Sequence, residues 1–103
     1  MDFSKGDELL KQVVSIVVPV YNEEENIKVF YDAVTSVMEE NNKYNYEIIF
    51  VDDGSSDGTP VMLQGLADLD SHVHGLILAR NFGHQVALTC GMEATQGDAI
   101  ITM

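Results

Sequence analysis

The sequence predicts an α/β protein, three layers deep, built on a mostly parallel sheet. Three observations lead there. Residues 13–20, Val-Val-Ser-Ile-Val-Val-Pro-Val, are nearly continuous in β-branched side chains, the pattern of a strand covered on both faces. Strand-like and helix-like segments then alternate with connections of a few residues, the signature of right-handed βαβ units. Polar clusters recur after the predicted strands, where an open parallel sheet binds its ligands.

Each element has its own signal. Residues 1–12 are read as a flexible N-terminal segment and residues 13–103 as one folded unit. The first strand covers residues 13–20, with Pro19 marking its end. Tyr21-Asn22-Glu23-Glu24-Glu25 then leads to Ile27, Phe30, Val34, Val37 and Met38 at helical spacing. Asn22 and Glu25 are expected to cap that helix reciprocally, which places the three glutamates in a first turn that favours negative charge. A second strand is predicted over residues 46–52. Thr59 as cap and Pro60 in the first helical position open a second helix reaching residue 70. Residues 73–78 give a third strand, residues 80–83 a tight connection and residues 84–95 a third helix. Residues 98–103 begin a fourth strand.

Charge and composition exclude several functions. The 103-residue chain carries a net charge of −12, with only Lys5, Lys11, Lys28, Lys43 and Arg80 as strong bases. Those five are scattered, so no phosphate-tracking surface exists and no nucleic-acid partner is expected. A phosphate ester held by such a chain would call for a divalent cation. Cys90 is the single cysteine, so no intrachain disulfide forms. Its neighbours read as a helix interior and the thiol as buried and inert. No apolar stretch approaches the ~20 residues of a membrane-spanning helix, and the start lacks a signal-peptide pattern. The chain is expected to be soluble and cytoplasmic.

The chemistry concentrates where the second strand ends, at Asp52-Asp53-Gly54-Ser55-Ser56-Asp57. The first strand-helix turn, Val20 to Glu24, has no glycine, so a dinucleotide pyrophosphate could not approach its backbone. A P-loop is also missing. An acid at a strand end can instead accept hydrogen bonds from ribose or base. Adjacent residues in extended chain point to opposite sides. Asp52 is expected to face the crevice, while Asp53 braces the turn through the amides of Ser55 or Ser56. Gly54 permits the sharp turn. A receiver-like or flavodoxin-like Mg-binding signalling domain is the alternative. It would want acids after the first strand and an aspartate after the third, where this chain has Tyr21-Asn22-Glu23 and Ala79-Arg80-Asn81. His72 and His74 lack a third ligand and read as surface residues.

Val-Pro-Val-Tyr-Asn-Glu-Glu (18–24), Val-Asp-Asp-Gly-Ser-Ser-Asp-Gly-Thr (51–59) and Arg-Asn-Phe-Gly-His-Gln (80–85) together resemble the family 2 glycosyltransferases. The third segment, followed by Ala87 and Gly91, looks most like the branch that glycosylates polyprenyl phosphates such as dolichol and undecaprenyl phosphate. The resemblance implies a Rossmann-like GT-A fold that binds a nucleotide-diphospho-sugar, and an inverting hexosyltransfer from a UDP- or GDP-sugar to a lipid phosphate. It implies nucleotide-sugar contacts from Pro19, Val20, Tyr21, Glu23, Asp52, Asp53, Gly54 and Arg80, with Tyr21 stacking on the base and Arg80 suited to a phosphate. Mg or Mn is implied for the family, on an Asp-x-Asp motif that would follow residue 103. On this reading the chain is an N-terminal part of the domain, without catalytic or metal-binding residues and inactive by itself. The full-length protein is expected at the cytoplasmic face of a membrane.

Overall fold

The computed structural model describes residues 12–103, so the expectation of a flexible N-terminal segment falls almost wholly outside the described residues. The elements run β1 (Val13–Val20), α1 (Ile27–Glu40), β2 (Asn45–Asp52), α2 (Thr59–Leu69), β3 (Val73–Ile77), α3 (His84–Glu93) and β4 (Ala99–Thr102). All strand pairs are parallel, in the order β3-β2-β1-β4. From β1 to β3 the chain steps one way across the sheet. It then jumps back past β2 and β1 to place β4 on the other side.

That reversal fixes the layers. Right-handed crossovers in opposite directions put their helices on opposite faces. Val14, Ile16, Val18, Val20, Ile48 and Phe50 pack with Ile27, Val34 and Leu63 of α1 and α2. Val17, Ile49 and Val51 pack with Ala87 of α3. Both faces of β1 and β2 are therefore buried, which is why their sequences are near-continuous apolar runs rather than alternating ones. Gly91 lets α3 lie close on the sheet. A Cβ there would sit 2.4 Å from Val17 Cγ1 and 2.9 Å from Val51 Cγ2.

Polar groups at the N-terminal end of the sheet are matched. Ser15 Oγ accepts from Gly97 N at 2.9 Å, and Glu47 Oε1 accepts from Gln96 N at 3.1 Å. Among the described residues no buried side-chain polar atom lacks a partner.

Several boundaries differ from expectation. α1 begins at Ile27 with Asn26 as its cap residue, and no acid lies in its first turn. Asn22 and the three glutamates form the preceding turn, because Asn22 is recruited by the β2–α2 loop rather than by its own helix. Thr59 is already helical, behind Gly58, and its hydroxyl serves Asp57 instead of capping. Cys90 is half-buried against the α3-side core rather than fully enclosed. His72 and His74 are both exposed, as expected, and the His72 ring also stacks on Tyr46, with ring centroids 4.2 Å apart, and bonds Asp70 through Nδ1 at 2.7 Å.

Candidate functional site

The C-terminal ends of β1 and β2 and the β3–α3 loop meet at one cleft of about 330 Å³. Pro19, Val20, Tyr21, Glu23, Asp53, Asn81, Gly83 and His84 line it. It lies beyond the strand ends beside the reversal in strand order, where ligands enter open α/β sheets.

Asp52 and Asp53 divide the labour in the reverse of the expected way. Parity along β2 decides it. Asp52 follows Phe50 onto the α1/α2 face, and Asp53 follows Val51 onto the α3 face. Asp52 is fully buried (0% exposed), does not line the cleft, and accepts from Ser55 N at 3.3 Å and from the Ser55 hydroxyl. Asp53 lines the cleft with 5% exposure, and accepts from Phe82 N at 2.8 Å and Gly83 N at 3.2 Å. Its own amide donates to Val20 O at 2.9 Å. One residue thus ties the second strand to both other walls of the cleft. The amides it holds precede α3, so its negative charge also sits at the positive end of that helix.

The β1–α1 turn is stapled to the β2–α2 loop. Asn22 has φ 50°, and its amide donates to Ser55 Oγ at 2.8 Å. Its side-chain Oδ1 accepts from Ser56 N at 2.9 Å. Glu23 N donates to Thr59 Oγ1 at 3.0 Å. The Thr59 hydroxyl donates to Asp57 Oδ1 at 2.6 Å, and this bond leads the causes that hold the Asp57 carboxyl below the usual carboxylate range. Asp57 is therefore a loop brace. Tyr21 and Glu23 flank Asn22, so the staple sets where both meet the cleft.

Gly54 has a second reason to be glycine. At φ +74° its missing Cβ would lie 2.3 Å from Arg80 C and 2.4 Å from Asn81 N. The β3–α3 loop passes directly over it. Arg80 does not line the cleft; its guanidinium carbon lies 4.6 Å from the centroid of the Phe82 ring, a cation–π contact. Among the described residues it makes no ion pair with a carboxylate. Asn81 and Gly83 were not singled out as site residues from the sequence, although both lie with His84 in the segment Arg-Asn-Phe-Gly-His-Gln.

The divalent cation implied by resemblance does not fit these residues. No group of three or more His, Cys, Asp or Glu that could hold a metal exists among the described residues, and Asp52 and Asp53 already accept hydrogen bonds. No helix among the described residues is long and apolar enough to cross a membrane.

An all-parallel sheet with a cleft at the strand ends and a nearly buried acid bordering it is the arrangement in which open α/β folds bind their ligands. Comparison with known proteins makes this specific. Residues 15–103 match the model of glycosyl transferase family 2, and the chain belongs to that family. It is 47% identical over 88 residues to a bactoprenol glucosyl transferase of Shigella phage SfX, covering 85% of this chain and 28% of that protein. An uncharacterized glycosyltransferase, YkcC of Bacillus subtilis, is 46% identical over 89 residues, covering 86% and 27%. An undecaprenyl-phosphate 4-deoxy-4-formamido-L-arabinose transferase of Aeromonas hydrophila is 38% identical over 93 residues, covering 89% and 28%. The chain thus spans little more than a quarter of these relatives. Its fold is that of the GT-A glycosyltransferases. The mannosyltransferase PcManGT of Pyrobaculum calidifontis, solved in complex with GDP-Man and Mn2+, superposes with a TM-score of 0.74 at 24% identity, over 91% of this chain and 27% of that one.

Proposed function

We propose that this chain is the nucleotide-sugar-binding part of a glycosyltransferase that moves a sugar from a UDP- or GDP-sugar to a polyprenyl phosphate. The observation that carries the reading is Asp53, a carboxylate that is nearly buried yet borders the cleft, between Tyr21 and the β3–α3 loop. A carboxylate can accept from a base imide, a base amino group or a ribose hydroxyl. Tyr21 is half-exposed at the cleft and offers an aromatic face to a base. Pro19 and Val20 form the apolar floor, and Glu23 offers a second acceptor. Asn81 and His84 bring side-chain donors from the opposite wall.

Arg80 contributes by resting on Phe82 of the β3–α3 loop, and its always-charged fork would have to leave that ring to meet a phosphate in the cleft. Asp52 and Gly54 act on the shape of the site rather than on the ligand. The lipid-phosphate acceptor is supported by the relatives that transfer to bactoprenol or undecaprenyl phosphate. The Mg or Mn ion expected for such an enzyme would need ligands other than the described residues, and no step here is routed through it. The full-length protein would work where a soluble donor meets a membrane-borne acceptor, at the cytoplasmic face.

The test is transfer itself. The full-length protein carrying this segment is incubated with radiolabelled UDP-glucose or GDP-mannose and undecaprenyl phosphate. Label extracted into the organic phase from either donor supports the reading. Label that stays aqueous with both donors while the protein binds neither nucleotide would refute it.

A further inference from the structure

Asp52 is the one fully buried carboxylate in the chain's described part, and it reaches no ligand-accessible surface. A buried charge is costly unless hydrogen bonds compensate it, so what it holds matters. It holds Ser55 twice, through the amide at 3.3 Å and through the hydroxyl. A carboxylate only accepts, so the Ser55 hydroxyl must spend its proton on Asp52 and offer its lone pairs elsewhere. Asn22 N fills one of them at 2.8 Å. The polarity of the Asp52–Ser55–Asn22 chain is therefore fixed, and each bond strengthens the next.

The end of that chain is a backbone under constraint. Asn22 sits at φ 50°, the only non-glycine residue with positive φ among those described. Side chains other than glycine adopt this region at a cost, and asparagine tolerates it better than most. The residue is pinned from both sides: its amide by Ser55 and its Oδ1 by Ser56 N at 2.9 Å. Its chain neighbours, Tyr21 and Glu23, are the two side chains of the β1–α1 turn that line the cleft.

We propose that Asp52 is a positioning residue: acting through Ser55 and Asn22, it holds the β1–α1 turn in the conformation that presents Tyr21 and Glu23 to the nucleotide. The inference rests on the nucleotide-binding reading for its consequence, but the positioning has its own readout. Asp53 holds the opposite wall through Phe82 and Gly83, so the two adjacent acids each fix one side of the cleft.

The experiment uses the isotope-labelled chain and the variants Ser55→Ala and Ser55→Thr. Without ligand, Ser55→Ala is expected to speed hydrogen exchange at the Asn22 and Glu23 amides about tenfold or more, and to leave Phe82 and Gly83 unchanged. Ser55→Thr, which keeps the hydroxyl, restores the parent rates. With UDP and GDP, Ser55→Ala weakens binding by about tenfold at a temperature where the variant is still folded, its melting temperature falling because buried Asp52 loses a donor, and threonine restores both. Parent-like exchange in the alanine variant, or equal loss in the threonine variant, would overturn the proposal. A parent chain that binds neither nucleotide, yet shows the exchange pattern, would sink the nucleotide reading alone and leave the positioning intact.

Discussion

Gly54→Ala and Gly65→Ala are the same chemical change with opposite expected signs. At Gly54 the backbone is left-handed, which costs an alanine about 1–2 kcal/mol. The added Cβ would meet the backbone of Arg80 at 2.3 Å and of Asn81 at 2.4 Å, contacts that no side-chain rotation relieves. Overpacking of this kind costs a further ~1–3 kcal/mol. If the loop lifts instead, the bonds from Phe82 and Gly83 to Asp53 are lost, at about 1.5–3 kcal/mol each for a charged acceptor. Even the cheaper route destabilises by roughly 2–5 kcal/mol, a large part of the ~5–15 kcal/mol that holds a domain folded. Gly65 lies inside α2 with nothing within 4 Å of the missing Cβ, so alanine there stabilises by about 0.5–1 kcal/mol. Thermal unfolding separates the two. Taking ~4–8 °C per kcal/mol for a domain of this size, Gly54→Ala lowers the midpoint by about 8 °C or more, while Gly65→Ala raises it by a few degrees. A Gly54→Ala variant melting within about 2 °C of the parent, with Phe82 and Gly83 amide signals unmoved, would refute the close approach of the two loops.

Three other outcomes follow from the same geometry. Asp53→Ala strips the acceptor from two amides and from the cleft, so nucleotide binding falls at least about tenfold and stability falls by ~3–6 kcal/mol, read by calorimetric titration and urea unfolding. Tyr31 donates to Asp70 at 2.5 Å, and that bond, with burial, pushes its hydroxyl up from 10.0 to about 12. The folded state prefers the protonated phenol, so this stabilisation is complete below pH 10 and disappears as pH rises towards 12; Tyr31→Phe should flatten the alkaline arm of a stability–pH curve. Burial raises the Asp70 carboxyl, but hydrogen bonds from the Tyr31 hydroxyl, the His72 amide and the His72 ring outweigh it and bring it below its ordinary 3.8. Its contribution is present above that value and lost as pH falls through the lowered one, so Asp70→Asn should make acid unfolding shallower.

The parts of this molecule that depend on local pattern could be read from the sequence. The β-branched run of β1, the polar strand ends and the alternation of elements gave a mostly parallel sheet whose first strand is covered on both faces, and β1 lies inside the sheet between β2 and β4 with helices on either face. What was missed depends on contacts between loops. Asn22 and Thr59 have ordinary capping chemistry in sequence, but Asn22 bonds the neighbouring loop and the Thr59 hydroxyl accepts from Glu23 N across to the other turn while donating to Asp57, which no local rule foresees. The exchange of roles between Asp52 and Asp53 had a signal that was available. Phe50 faces α1 and α2 while Val51 faces α3, so continuing the alternation by two residues sends Asp53, not Asp52, towards the loop ahead of α3. Reading it required knowing which face of β2 that loop would cover. Asn81, Gly83 and His84 entered the cleft only because the β3–α3 loop crosses Gly54.

The most direct measurement is a heteronuclear NMR titration of the labelled chain with UDP and with GDP, each with and without Mg2+. The account predicts that at least one nucleotide shifts the amides of Tyr21, Asp53, Asn81, Gly83 and His84, and that the α2–β3 side of the sheet stays silent. Shifts centred instead on residues 64–77, or none with either nucleotide at millimolar concentration, would contradict the assignment of this cleft to a nucleotide sugar.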